Sequence, residues 1–402
     1  MKKYVIYGNE NFPVMQTRKP TGNNFQNLKK DFLTHNTGTL MFFDAINNYL
    51  TQSDIKYEYT NGRTPDEING LYDVCIDMEA NLFSVHNYEL MVKQTEEFKA
   101  YNMPIYVVGV GIQAGIDESM KELAKKIHYP VYQFVNAIYK SGGELGVRGY
   151  YTKELLDIIY PQNTAVVIGC PSLYVNGPEF EISNYKVDRK DFSYLVNGRL
   201  FDMERPFLRI NAKKYKHMYI DQHEFGDLIY AIDKIDKSEL TKEKLIDRYT
   251  ETALVEFAKG NVKHFFDLPL WKKECSKYSF SFGRRIHGNI AAIISGTPAL
   301  LNYSDRRTEE IAKYFNIPTT CFRYDREDDI YDLYLETDYS SFNRTYKENY
   351  KKFKEFLQIC GIEDFNNHKY RELLEKNGPW NERSYDYVLK FVAEVMDCKI
   401  TA

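Results

Sequence analysis

Apolar residues along this chain fall into short unbroken runs, separated by stretches with a helical period. Tyr4–Tyr7, Tyr72–Ile76, Pro104–Val110, Leu145–Val147 and Ala165–Ile168 are such runs. Strands covered on both faces of a parallel sheet take this form. Between them, Leu40, Phe43, Ala45, Ile46 and Leu50 predict a helix from Gly38 onward. Tyr88–Ala100, residues 117–127 and Thr152–Ile159 predict three more. The polar, Asn-rich stretch Thr17–Asn36 has no period and reads as a long loop. This alternation is that of a doubly wound sheet.

The pattern lapses over residues 175–190, where the chain is expected to cross between domains. A second alternating block follows. Phe192–Val196, His217–Ile220, Val262–Phe266, Tyr278–Phe282 and Leu300–Asn302 read as strands. Residues 226–235, 241–258, 271–277, 288–295 and 307–315 read as helices. The tail differs, with helical runs near 344–360, 368–376 and 384–397 and few strand candidates. Trp380, after Gly378-Pro379, is expected to anchor a docking contact there. The fold class is therefore α/β, with two Rossmann-like doubly wound domains facing across a cleft. The expected divisions are 1–178, 185–325 and a helical appendage at 330–402.

Composition changes this picture little. The chain has 402 residues, of which 25 are Phe, 34 Tyr and 2 Trp, so it is too aromatic to be disordered. Its length exceeds a single hydrophobic core of roughly 250–300 residues. Lys and Arg total 53 against 57 Asp and Glu, which gives no support for binding nucleic acid through its phosphates. Lys213-Lys214-Tyr215-Lys216, the most basic short stretch, reads as solvated surface. The six cysteines are scattered without a CxxC, so neither a zinc knuckle nor a thioredoxin-like site is signalled, and a reduced, cytoplasmic protein is expected. Met1–Gly8 is basic, then apolar, and too short for a signal peptide. A run of about 18 apolar residues, as a spanning helix requires, is absent. Peripheral attachment at the inner face of a membrane needs only a surface patch and stays open.

Candidate chemistry concentrates in Ser281-Phe282-Gly283-Arg284-Arg285-Ile286-His287-Gly288-Asn289. A strand ends there, two arginines and a histidine appear, and an apolar helix begins. Gly288 permits close approach of backbone to ligand. Amides at a helix start favour an anion, and arginine holds phosphate in a two-pronged fork. Downstream, Gly296-Thr297-Pro298 turns the chain into another strand, and Asp305-Arg306-Arg307 precedes the next helix. Asp305 can orient His287, accept a proton, or simply start that helix. Adjacent βα junctions are where an open sheet forms its ligand crevice. Gly109-Val110-Gly111-Ile112-Gln113-Ala114-Gly115 is not a dinucleotide loop, because its third glycine falls one position late. The acidic tract Asp325-Arg326-Glu327-Asp328-Asp329 reads as solvated surface, and neither a metal nor another cofactor is called for.

These residues resemble the polysaccharide pyruvyl transferase family. The likeness is carried by Arg285-Ile286-His287-Gly288, Ala291, Ala292, Gly296-Thr297-Pro298, Asp305-Arg306 and Glu310. The first half adds Asn36-Thr37-Gly38, Gly109-Val110-Gly111-Ile112-Gln113, Arg148-Gly149 and Gly169-Cys170-Pro171-Ser172. It spans roughly residues 30–325. The resemblance implies a GT-B-like fold and transfer of the enolpyruvyl carbons of phosphoenolpyruvate to a sugar, giving a pyruvate ketal and phosphate. It implies a donor anion site at Arg285 and His287, with Arg148 a further donor contact. Arg284, Gly288, Asn289, Asn36, Gly38, Gly111, Gln113 and Ser172 complete the expected substrate-binding set. Two departures bear on the acceptor side. Gly38 is followed by Thr39 where the family often has Asp, and Asp77-Met78-Glu79-Ala80-Asn81 stands where it often has a Gly-Gly pair.

Ketal formation needs cations for the phosphate and carboxylate, an acid for C3 and a base for the sugar hydroxyls. Arg284 or Arg285 with Arg148 supply the cations, and His287 is the candidate acid or phosphate ligand. Asp305, Glu79 and His86 are candidate bases. His86 ranks above Glu79 because imidazole titrates near neutrality without tuning. The partners expected are phosphoenolpyruvate and a glycan or lipid-linked saccharide. A GT-B-like glycosyltransferase using a nucleotide sugar, and a non-catalytic glycan-binding protein, are the alternatives.

Overall fold

In a computed structural model, the described residues are 2–8, 36–231, 238, 240–265, 268–321, 324–325, 327–363 and 382–398. Most of the loop expected at Thr17–Asn36, the tail helix at 368–376 and Trp380 lie outside them. So do the ends of the helix expected at 226–235 and of the strand ending at Phe266.

Among the described residues, each lobe is built on a six-stranded, wholly parallel sheet. The first comprises β1 (Tyr4–Tyr7), β2 (Tyr57–Tyr59), β3 (Val74–Asp77), β4 (Ile105–Val110), β5 (Glu144–Val147) and β6 (Val166–Val167), in the order β2-β1-β3-β4-β5-β6. The second comprises β7 (Ser193–Val196), β8 (Lys216–Asp221), β9 (Val262–His264), β10 (Phe280–Gly283), β11 (Ala299–Asn302) and β12 (Thr319–Thr320), in the order β9-β8-β7-β10-β11-β12. The strand order reverses between β1 and β3 in the first sheet and between β7 and β10 in the second. An open parallel sheet binds ligands at such a reversal, outside the carboxyl ends of its strands. The architecture is thus GT-B-like, two Rossmann-like lobes with a helical C-terminal region.

Several elements differ from the sequence expectation for local reasons. β2 and β12 are edge strands of three and two residues, too short to show a period. The helix expected at 117–127 runs from Met120 to Lys140 through Pro130. Proline cannot donate a helical hydrogen bond, and the backbone yields at Ile127, with φ −125° and ψ 17°. The helix expected at 241–258 is two, Lys242–Tyr249 and Glu251–Ala258. Thr250 between them has φ 69°, and its hydroxyl caps the second by accepting from the Ala253 N–H. Pro206–Lys214 and Ile330–Glu336 form helices that the apolar spacing did not signal. The helix after β10 starts at Ile286, two residues early, so His287 and Gly288 lie in its first turn.

The C-terminal helices tie the lobes together. Ser340–Ile359 packs on the first lobe, where Phe353 stacks on Tyr174 at 4.6 Å and 15° and meets Tyr49 at 5.2 Å. Glu382–Val395 returns to the second lobe and buries Val388 and Val392 in its core. One apolar cluster crosses the seam, joining Met41 and Phe42 of the first lobe to Ile286, Ile290 and Ala291 of the second. Among the described residues, no helix is long and apolar enough to cross a membrane.

Candidate active site

The second lobe contributes the junction of β7 and β10. Gly283 has φ 146°, and a Cβ there would lie 2.2 Å from the Asn197 carbonyl oxygen. The two strand ends are therefore packed backbone to backbone, with the Arg285 N–H donating to that carbonyl at 2.9 Å. Asn289 braces the turn from inside. Its Nδ2 donates to the Gly283 and Arg285 carbonyls at 2.9 and 3.1 Å, and its Oδ1 accepts from Ser281 Oγ at 2.8 Å. Gly288 then faces the ends of β7 and β8. A Cβ on it would stand 2.0 Å from Asn197 Oδ1 and 2.4 Å from Gln222 Nε2. Asn197 Oδ1 and both polar atoms of the Gln222 amide are buried without a hydrogen-bond partner. Buried polar atoms are rarely left so. Sequence reasoning missed both residues, although each directly follows a strand, where the crevice of an α/β sheet is expected.

The first lobe contributes Arg148, just beyond β5 and wholly buried. Its guanidinium lies over the Phe42 ring, 4.7 Å from the centroid, and Nη1 donates to Asn81 Oδ1 at 3.2 Å. Nε and Nη2 have no partner. Burial pulls its pKa down, against the attraction of neighbours that include Glu310 and Glu79. Gly111 makes room for it, since a Cβ there would approach both Arg148 Cδ and the Ala80 carbonyl oxygen to 3.0 Å.

His287 sits between the lobes. A Cβ on Gly38, at the start of the first long helix, would reach the His287 Cβ at 2.7 Å. Asn36 Oδ1 accepts from the Gly38 N–H at 3.0 Å, and the Thr37 N–H closes the seam onto the Gln222 carbonyl at 2.9 Å. His287 Nε2 lies 3.8 Å from Cys170 Sγ, which in turn lies 3.4 Å from Ser172 Oγ. Burial, then the positive charges of Arg148 and Arg307, hold the imidazole well below its usual pKa. It is a neutral group at neutral pH.

The remaining candidates have other attachments. Arg285 Nη2 is 3.5 Å from Glu224 Oε1, and its Nε is buried without a partner. Burial, then the Asp221 charge, push Glu224 up to about 9. Arg284 lies 3.5 Å from Asp202 and over the Tyr324 ring. Asp305 caps the Arg306–Phe315 helix by accepting from the Thr308 N–H at 2.8 Å, and its other oxygen lies 3.5 Å from Arg307 Nη2. His86 and Gln113 are exposed; His86 is on the turn Val85–Asn87. The structure thus gathers Arg148, His287, Ser172, Gly38, Gly111 and Gly288 around the seam. Among the described residues, no group of three or more His, Cys, Asp or Glu is placed to hold a metal ion.

A search of curated proteins returns no match. Solved structures with a similar outline include the S. aureus MnaA–UDP co-structure, at 10% identity and TM-score 0.38 over 99% of this chain and 98% of that one. Anabaena Alr3699/HepE in complex with UDP-glucose matches at 12% identity and TM-score 0.38, over 94% and 100%. UDP-GlcNAc 2-epimerase from Methanocaldococcus jannaschii matches at 11% identity and TM-score 0.35, over 98% and 100%. The profile of the polysaccharide pyruvyl transferases matches residues 36–306, from Asn36 beside the seam to the helix capped by Asp305. The chain belongs to the polysaccharide pyruvyl transferase family, whose members carry pyruvyl groups from phosphoenolpyruvate to glycans.

Proposed function

We propose that this protein forms a pyruvate ketal on a sugar of a cell-surface polysaccharide or its lipid-linked precursor, with release of phosphate. The observation that carries the reading is Arg148, a buried cation with two unused donor atoms, at the seam where His287 also lies. A buried charge with free donors is costly unless a ligand completes it. Phosphoenolpyruvate carries two adjacent anionic groups that suit a guanidinium fork. Arg285 is the second cation, released from Glu224 when the donor enters. His287, neutral without ligand, takes up a proton as phosphate approaches and holds the departing group as a cation. Protonation at C3 makes C2 electrophilic. One sugar hydroxyl adds there, and a second displaces phosphate. His86 and Gln113, exposed on the first lobe, are assigned to the acceptor side. We place the protein in the cytoplasm, at the inner face of the membrane where a lipid-linked acceptor is presented.

The test is incubation with phosphoenolpyruvate and a panel of glycans. Phosphate release and an added mass of pyruvate less one water on the sugar are expected. No turnover over a broad panel, with no thermal protection by phosphoenolpyruvate, overturns the reading.

A further inference from the structure

Cys170 follows β6 in the first lobe, yet its sulfur lies against a histidine of the second. Sγ is 3.8 Å from His287 Nε2 and 3.4 Å from Ser172 Oγ, both within hydrogen-bonding reach of a sulfur atom. Cys170 and Ser172 are fully buried, and His287 is 7% exposed. The segment is braced on both sides of the thiol. Tyr174 donates its hydroxyl to the Ile168 carbonyl at 2.8 Å, and the Leu173 N–H donates to the Cys170 carbonyl at 3.1 Å. Gly38, also of the first lobe, packs against the Cβ of the same histidine, where a larger residue would collide with it. The first lobe therefore grips the His287 side chain at its root and at its tip.

We propose that Cys170 is the positioning residue for His287, a partner that changes from hydrogen-bond donor to acceptor, with Ser172 receiving the thiol hydrogen bond when it does. The inference rests on the pyruvyl-transfer reading, in which His287 is neutral before the donor enters and a cation beside its phosphate. A neutral imidazole has one bare nitrogen and an imidazolium has none, whereas a thiol both donates and accepts. Beside a neutral ring with Nε2 bare, the thiol points its hydrogen at Nε2, and the Ser172 hydroxyl donates to sulfur. Beside the cation, the Nε2–H donates to sulfur, and the thiol donates to Ser172 Oγ. Thiol and hydroxyl keep their own protons throughout, and only the direction of the two hydrogen bonds reverses.

Other residues at this place would serve one state only. A carboxylate would hold the ring charged before any phosphate arrived. A methyl group would leave Nε2 buried without a partner. The charged groups that act on the ring are Arg148 of the first lobe and Arg307 of the second, and both disfavour the cation until an anion offsets them. Because the thiol and Gly38 come from one lobe and the imidazole from the other, the ring is aimed only while the lobes meet. Closure of the seam thus completes the site.

The full-length protein and its Cys170→Ala, Cys170→Ser, Cys170→Asp and Ser172→Ala variants are assayed for acceptor-dependent phosphate release from pH 5 to 9. The His287 ring is titrated in the phosphoenolpyruvate complex by NMR of histidine-labelled protein, its signal identified by loss in His287→Gln. Cys170→Ala is expected to lose about 10-fold in kcat with KM for phosphoenolpyruvate little changed. It should also move the His287 midpoint and the alkaline limb of the pH profile downward, because the cation has lost its acceptor at Nε2. Loss of packing alone would move neither. Cys170→Ser is expected to restore both, Ser172→Ala to shift them the same way by less, and Cys170→Asp to move the midpoint upward. An unmoved midpoint in a folded Cys170→Ala protein overturns the proposal and leaves pyruvyl transfer standing. Should that variant not fold, an unmoved midpoint in Ser172→Ala overturns it. A wild-type protein inert toward phosphoenolpyruvate removes the functional reading, and this role with it.

Discussion

Glu310 of the second lobe accepts hydrogen bonds from Thr152 of the first, from its N–H at 3.0 Å and its hydroxyl at 2.9 Å. Both side chains are buried, and the Thr152 hydroxyl also accepts from the Ile112 N–H at 3.1 Å. A polar latch therefore joins the lobes directly beside Arg148.

The latch makes the seam sensitive to pH. Burial pushes Glu310 up to about 7, against the pull of Thr152 and Arg148. A carboxyl raised in the folded state contributes fully below its unfolded value and loses that contribution as pH rises through the folded one. Its share of stability should fall between about pH 4.5 and 7, by roughly 3 kcal/mol. Glu310→Gln should remove this part of the slope, which urea melts at pH 5 and 8 would show. An unchanged slope would count against the assignment.

Arg148→Lys keeps a charge but loses the planar fork and the face that covers Phe42. Wild-type protein should gain thermal stability on adding phosphoenolpyruvate. The variant should bind it about 100-fold more weakly, equivalent to about 3 kcal/mol. Isothermal calorimetry reads the difference, and equal affinities would exclude Arg148 from the donor site.

Gly288→Ala separates local propensity from packing. Inside a helix the change is favourable by up to about 1 kcal/mol. Here the new Cβ would fall 2.0 Å from Asn197 Oδ1, so the crevice must open. A net loss of about 1–3 kcal/mol is expected in chemical denaturation. A stabilised variant would mean that the crevice yields freely.

Phe353 carries the docking of the Ser340–Ile359 helix through its stack on Tyr174. It is fully buried, so Phe353→Ala should cost about 3–5 kcal/mol. Limited proteolysis of the variant should cut first within this helix. Cleavage elsewhere, with the helix still protected, would show that its docking does not depend on this ring.

Central strands and long amphipathic helices were legible in the sequence because burial on both faces, or on one stripe, writes itself locally. Pro104–Val110 anticipates β4 at Ile105–Val110 for that reason. The edge strands β2 and β12 were not, since pairing on one side alone selects two or three residues without a pattern. Arg148 and the motif around His287 could be singled out from residue type and position. Asn197 and Gln222 could not, because an isolated amide in sequence says nothing of its partners.

The chain by itself determined two parallel α/β lobes, a helical tail and an anion-seeking motif after a strand. These follow from periodicity and from side-chain chemistry, both local properties. Only the tertiary structure decided that His287 is buried and neutral, that Arg148 keeps donors free, and that Glu310 locks onto Thr152 across the seam. Each depends on desolvation and on distances between residues up to 158 positions apart, and the low dielectric of the packed seam sets their charge states.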